Sequence, residues 1–206
     1  MPQTDCQKDD GTVSHSTDAS QAEDNELVKR VCMGETQLFR LLIERHQQHI
    51  FNLCYRMLRQ FEEADDATQD TFLKAYRSLK QFRGDARLKT WLCQIARNEC
   101  LNRLRHENMA SLDQQLTTDY SFQIADSTPS PLELIEQRET QSIVHEAINK
   151  LPHQYRLVIT LFHLNGLSYE EISQVMEMPM GTVKTHIFRA RELLKSKLQA
   201  FVEGKI

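Results

Sequence analysis

The stretch Ser168-Tyr169-Glu170-Glu171-Ile172-Ser173-Gln174-Val175-Met176-Glu177-Met178-Pro179-Met180-Gly181-Thr182-Val183-Lys184-Thr185-His186-Ile187-Phe188-Arg189-Ala190 decides the fold. Ser168 followed three residues later by Glu171 is a capping box, the start of a helix. Tyr169, Ile172, Val175 and Met176 are spaced for burial on one side of that short helix. A turn around Glu177-Met178-Pro179-Met180 follows, and a longer helix begins near Gly181 or Thr182. On it Val183, Ile187, Ala190 and Leu194 lie on one side, while Thr185, Phe188, Arg189 and Glu192 face the other, flanked by Lys184 and Arg191. Two such helices joined by a tight turn make a helix-turn-helix, whose second helix can enter a major groove. Its arginines and lysines can donate to guanine edges or phosphates, and a threonine hydroxyl to either. A basic amphipathic helix taken alone is more often a solvated face. The cap, turn and burial pattern of two successive helices reverse that preference.

Working upstream, Asn165-Gly166 stops a preceding helix. The second unit opens with Ser130 as N-cap, Pro131 as first helical residue and Glu133 as reciprocal partner. Before it the periodicity fades and the chain reads Asp126-Ser127-Thr128-Pro129-Ser130-Pro131, a linker. A first unit covers 25–106, where helical periodicity dominates and β-alternation is missing. Residues 1–24 are polar and are read as a disordered acidic tail. The expected organisation is therefore a tail over 1–24, a helical domain over 25–106, a linker over 107–130 and a helix-turn-helix domain over 131–206. The fold class is all-α, two small helical domains joined by a flexible linker.

The formal net charge of −4 hides a sorted pattern. Residues 1–26 carry seven acids against Lys8. Residues 83–105 hold six Arg/Lys against Asp85 and Glu99, and 179–197 hold five against Glu192. Glu62, Glu63, Asp65, Asp66 and Asp70 form a compact acidic cluster. Two basic surfaces and one acidic one suit a protein with nucleic-acid and protein partners. Five cysteines without a C-x-x-C pair point to a reducing, cytoplasmic location. No bilayer-spanning apolar run or secretory signal is visible.

In the first unit, Phe39, Leu42, Ile43, Ile50, Leu53, Cys54 and Met57 form one stripe of a helical pattern running from Glu26 to Arg59. A second helix, from about Ala64 to Leu79, buries Phe72, Ala75, Tyr76 and Leu79. Opposite them stand Asp66, Asp70, Leu73 and Arg77; an exposed leucine framed by carboxylates suits docking to a basic partner, although single exposed leucines are common. A loop, Phe82-Arg83-Gly84-Asp85-Ala86-Arg87, leads to a third helix from Thr90 to about His106. Cys93, Ala96, Cys100 and Leu104 form its core side, so these cysteines read as small core residues. The other side gathers Trp91, Gln94, Asn98, Asn102 and Arg105: a ring for stacking on an unstacked base and donors for its edge. Trp91 as a plain core anchor is the competing reading.

These residues resemble the extracytoplasmic-function group of bacterial sigma factors, from about residue 26 to 200. Asp65-Asp66-Ala67-Thr68-Gln69-Asp70-Thr71-Phe72-Leu73-Lys74-Ala75 resembles the family's polymerase-clamp-binding helix. Phe82-Arg83-Gly84-Asp85-Ala86-Arg87, with Thr90-Trp91-Leu92 and Ile95-Ala96-Arg97-Asn98, resembles its −10 element loop and helix. Leu151-Pro152, Arg156, Gly166-Leu167-Ser168-Tyr169-Glu170-Glu171-Ile172 and Gly181-Thr182-Val183-Lys184-Thr185 resemble its −35 module. The resemblance implies that Asp66, Gln69, Asp70 and Leu73 dock on core RNA polymerase. It implies that Phe82, Arg83, Asp85, Arg87, Trp91, Gln94, Asn98, Asn102 and Arg105 hold the melted −10 strand. Thr182, Lys184, Thr185, His186, Phe188 and Arg189 would contact the −35 duplex. His186 stands where arginine is frequent, Leu88 where an aromatic is common, and Glu177 where the turn often has glycine. An anti-sigma partner is implied for the family, though no residue identifies one; a cofactor, a metal, a small-molecule substrate and membrane insertion are not expected. A response-regulator-type activator would share Thr-Val-Lys-Thr-His, but it would carry a sensing domain, usually with strands. An enzyme would need a catalytic signature, and H-E-x-x-H, G-x-S-x-G, Cys/His ligand spacing and a phosphate-binding Gly loop do not occur.

Overall fold

A computed structural model describes residues 14–110 and 143–202. Among the described residues every regular element is helical. The expected all-α class therefore holds. The elements are α1 (Ser14–Cys32), α2 (Phe39–Leu58), α3 (Phe61–Ser78) and α4 (Leu88–Ala110), then α5 (143–149), α6 (His153–Ile159), α7 (Tyr169–Met176) and α8 (Met180–Val202). Short 3-10 turns cover Thr36–Leu38 and Leu79–Gln81, and α6 runs on as a π turn over Thr160–Leu164.

The first unit is built on α2, α3 and α4. Leu42, Ile50 and Leu53 of α2 are fully enclosed, as are the small residues Ala64, Ala67 and Ala75 of α3 and Cys93, Ala96 and Cys100 of α4. Small side chains at these positions let the three helix backbones approach closely. Glu62 and Glu63 sit in the first turn of α3, where carboxylates complement the positive end of the helix dipole. Arg59, left-handed at φ 63°, turns the chain sharply between α2 and α3.

Four expectations change here. The pattern read as continuous from Glu26 to Arg59 is broken after Cys32, where Gly34 takes φ 114°, open to glycine but strained for other residues. Residues 14–24, read as part of a disordered tail, are helical. Their helix is pinned by Leu27, Val28 and Val31, which enter the core. It is also pinned by Asp24, whose carboxylate lies 2.8 Å from His46 Nε2 and accepts from Arg45 Nη1 at 3.2 Å. Burial alone would raise the Asp24 carboxyl, but His46 and Arg45 outweigh it and hold it below its ordinary range. Tyr76 is exposed rather than buried: it stands at the edge of the α3 stripe, ring edge against Phe39 at 5.0 Å. α4 also continues past His106, to Ala110. Residues 1–13 of the expected tail, most of the expected linker and the Ser130 cap lie outside the described residues.

The second unit wraps α6, α7 and α8 around Leu157, Val158, Leu161, Leu167, Ile172, Val175, Val183, Ile187 and Ala190. The capping box forms with both halves: Glu171 N–H donates to Ser168 Oγ at 3.2 Å, and Ser168 N–H to Glu171 Oε2 at 2.8 Å. Glu177 ends α7 at φ 53°, the left-handed conformation that glycine adopts most readily.

The two units share a seam. Thr90, fully enclosed near the start of α4, donates to Glu171 Oε1 at 2.7 Å. Asn165 donates to the His49 carbonyl at 3.2 Å and reaches Cys93 Sγ at 3.5 Å. Arg56 of α2 donates to the His145 carbonyl at 3.3 Å and also bonds the Asn149 side chain.

Candidate functional site

Three surfaces carry the residues of interest. On α3, Leu73 is 53% exposed, and Asp66 and Gln69 stand open to solvent. Gln69 donates to Asp65 one turn away at 2.9 Å. A groove of about 820 Å³ runs between α2 and α3, lined by Phe39, Ile43, Phe72, Leu73 and Tyr76 with Asp65 and Gln69 among its polar residues. The α2 wall was not anticipated, because Phe39 and Ile43 read simply as members of the buried stripe. Asp70 differs from its three companions. It is engaged by Arg103 of α4, which also holds Glu63 at 2.9 Å and Glu99 at 3.1 Å. Burial works against the Arg103 charge, but these carboxylates outweigh it and push its pKa up. Asp70 thus belongs first to the ion network that ties α3 to α4.

The loop and α4 form the second surface. Arg83 and Asp85 are exposed, and Gly84 turns the loop at φ 79°. Phe82 folds back on Trp91, ring centroids 5.2 Å apart, so both aromatics are half-buried. Beyond them Asn98, Asn102 and Arg105 are exposed at helical spacing, with Gln94 half-buried. Asn98 Oδ1 accepts from Arg97 Nη1 at 3.3 Å. The arrangement offers an aromatic pair continued by amides and a guanidinium, suited to an unstacked strand. Arg87 is set apart from this row, 3.7 Å from Glu171 of the second unit.

The third surface is the outer side of α8. Thr182, Lys184, Thr185, Phe188 and Arg189 are all exposed, and Phe188 is 66% exposed. Thr185 returns its hydroxyl to the Gly181 carbonyl at 2.9 Å, which leaves its oxygen free to accept. His186 is turned inward, edge-on to Tyr155 at 5.4 Å. Arg191 lies over the Phe162 ring at 5.2 Å, a cation–π contact that secures α8 on the π turn.

Residues 42–109 match the family model "Sigma-70 region 2", and residues 141–194 match "Sigma-70, region 4". The chain is 39% identical over 185 residues to RNA polymerase sigma-H factor of Pseudomonas aeruginosa, spanning 87% of this chain and 96% of that one. The chain belongs to the extracytoplasmic-function group of the sigma-70 family. The ECF RNA polymerase sigma-E factor of Haemophilus influenzae is 35% identical over 88% of this chain and 98% of its own. The counterpart in Escherichia coli K12 is 37% identical over 89% and 98%. The fold is also that of the Bartonella quintana sigma factor RpoE solved with the anti-sigma factor NepR, at TM-score 0.65 and 24% identity over 78% of this chain and 96% of that one. CnrH, solved with the cytosolic domain of CnrY, matches at TM-score 0.60 and 24% identity over 86% and 97%. In this sigma factor, α2 to α4 form region 2, and the helix-turn-helix of α7 and α8 belongs to region 4. Among the described residues no helix is long and apolar enough to cross a membrane.

Proposed function

We propose that this sigma factor directs promoter-specific initiation by docking on core RNA polymerase through the α2–α3 groove and reading two promoter elements. Region 2 takes the melted −10 strand on the loop and α4. Asn98, Asn102 and Arg105 contact its bases and backbone, Trp91 and Phe82 supply the stacking surface, and Arg83 meets a phosphate. Region 4 sets α8 in the major groove of the −35 duplex. Lys184 and Arg189 donate to phosphates or guanine edges, Thr182 donates to either, the free oxygen of Thr185 accepts from the amino group of cytosine or adenine, and Phe188 meets a thymine methyl. His186, turned against Tyr155, positions α8 rather than reading a base.

The observation that carries this reading is the union, in one chain, of a row running from the half-buried Phe82–Trp91 pair to the exposed Asn98, Asn102 and Arg105 of α4 with an exposed basic face on α8. An activator of the response-regulator type needs only the second. The role is non-enzymatic and cytoplasmic and uses no cofactor, and the family resemblance implies control by an anti-sigma protein. The test is run-off transcription from genomic fragments with core polymerase and the purified chain as the only added factor. Discrete promoter-specific transcripts are expected. Transcripts that appear only when a second sigma factor is present would make the chain an activator.

A further inference from the structure

Two buried arginines converge on the end of α5. Arg56, in the last turn of α2, and Arg156, in α6, are each only 5% exposed. Arg56 Nη1 donates to the His145 carbonyl at 3.3 Å and to the Asn149 side chain, while Arg156 Nη1 donates to the Asn149 carbonyl at 3.0 Å. Both therefore cap the carboxyl end of α5, whose last carbonyls carry partial negative charge. As a charge balance that structural duty is incomplete. A helix end offers at most about half an elementary charge. Arg56 and Arg156 each bring a full one, and Arg59 adds another from the exposed turn after α2.

No carboxylate offsets these charges. Burial first, then the charges of Arg59 and Arg56, push the Arg156 pKa down to about 10, and burial likewise lowers that of Arg56. His153, one turn before Arg156, is held down by desolvation and then by the Arg156 and Arg97 charges. Arg97 has an acid of its own, Glu177 at 3.4 Å. Among the described residues, Arg56, Arg59 and Arg156 reach no acid within ion-pair distance. Arg156 Nε is enclosed and has no hydrogen-bond partner.

A buried guanidinium without a counter-charge is costly, because it has lost its water and its like-charged neighbours repel it. A bound anion relieves both penalties. Planar guanidinium forks match the oxygens of a phosphate group, and three cations favour a doubly charged ion over a carboxylate or chloride. Enclosure then selects size. With Arg56 and Arg156 buried and Arg59 and His153 at the open rim, a compact phosphate group can reach donors that a nucleic-acid backbone cannot.

We propose that Arg56, Arg59 and Arg156, with His153 at the rim, form a binding site for a small phosphate-bearing ligand, either inorganic phosphate or the phosphate end of a nucleotide. None of these four residues belongs to the groove, the α4 row or the outer face of α8. The site therefore adds a small-molecule ligand to the polymerase and promoter partners proposed above.

Isothermal titration calorimetry on the full chain tests the site, with inorganic phosphate, inorganic triphosphate and adenosine triphosphate as probes at constant ionic strength. The titrations are run at about pH 8, where a phosphate group carries close to two negative charges. Arg59→Gln removes a rim charge, and Arg156→Lys keeps the charge but removes the planar fork. Lys80→Gln is the exposed control, beyond the far end of α3, a helix about 27 Å long. Saturable binding at a single site is expected, weakened about 3- to 10-fold by Arg59→Gln and about 10-fold or more by Arg156→Lys. The control should stay within about two-fold of wild type, and sulfate but not acetate should compete. If Arg156→Lys loses its helical circular dichroism, the exposed Arg59→Gln decides alone. Tighter binding of adenosine triphosphate than of inorganic triphosphate would assign the nucleotide as the source of the phosphate, and equal binding the free anion; both support the site. Heat that never saturates, or equal binding by wild type and Arg59→Gln, would leave only charge screening and overturn it. Oligothymidylate binding that Arg59→Gln weakens, without saturable binding of any of the three probes, would make the cluster a nucleic-acid contact and overturn it as well.

Discussion

Leu73→Ala tests the docking groove most directly. Burying a leucine side chain completely is worth about 1.5–3 kcal/mol. Leu73 is 53% exposed, so roughly half of that, about 1 kcal/mol, is left for a partner to collect. If Leu73 is a central anchor among Phe72, Tyr76, Phe39 and Ile43, the loss on truncation reaches about 2 kcal/mol. The expected weakening of core polymerase binding is therefore about 5- to 30-fold. Folding loses the other half, again about 1 kcal/mol, against a typical domain stability of about 5–15 kcal/mol, so the variant remains folded. Competition against labelled wild type for core polymerase measures the first quantity, and urea unfolding the second. An affinity within two-fold of wild type, with stability lowered as expected, would refute the groove as the docking surface.

Arg189→Ala should weaken binding to promoters with an intact −35 element by about 1–3 kcal/mol, and an unchanged footprint would count against the α8 assignment. Arg103→Ala should destabilise region 2 by about 2 kcal/mol. Glu99, only 9% exposed, loses its guanidinium, while the more solvated Glu63 and Asp70 lower the cost below that of a fully buried pair. An unmoved urea midpoint would show the network to be idle. His49 supplies a pH dependence: burial first, then the Lys89 charge, lowers its pKa from 6.5 to about 4. In the folded chain it stays neutral while the unfolded chain takes up a proton, so its contribution is full above about pH 6.5 and is lost as pH falls toward about 4. His49→Gln should flatten the fall in urea midpoint across that window, and an identical slope would reject the assignment.

Local chemistry was readable from the chain. The Ser168/Glu171 cap depends on residues three apart, and the buried side of α8 follows from spacing alone, so both appear where the sequence places them. The exposed position of Leu73 was legible for the same reason. What escaped depends on how helices meet. Asp70 looks free on a helical wheel, and only the register of α3 against α4, 33 residues apart at this pair, gives it to Arg103. Polar composition hid the opening turns of α1, because its anchors are three apolar residues late in the helix and one carboxylate satisfied by Arg45 and His46. His186 lies between the two faces of α8, and the position of Tyr155 decides which way its ring turns. The seam is the least local feature: Glu171 reads as a capping residue, and its second oxygen shows a further duty only once Thr90 is beside it.

Cys93 gives that seam a chemical clock. Its thiol is fully enclosed, capped by Asn165 and pushed up to about 12 by burial, so it is a poor nucleophile while the units are joined. Cys54 and Cys100 are equally enclosed, but inside the three-helix packing of region 2 and away from the seam. A small alkylating reagent should therefore count two separate events along one chain: modification at position 93 each time the units part, and at 54 and 100 only when region 2 itself unravels.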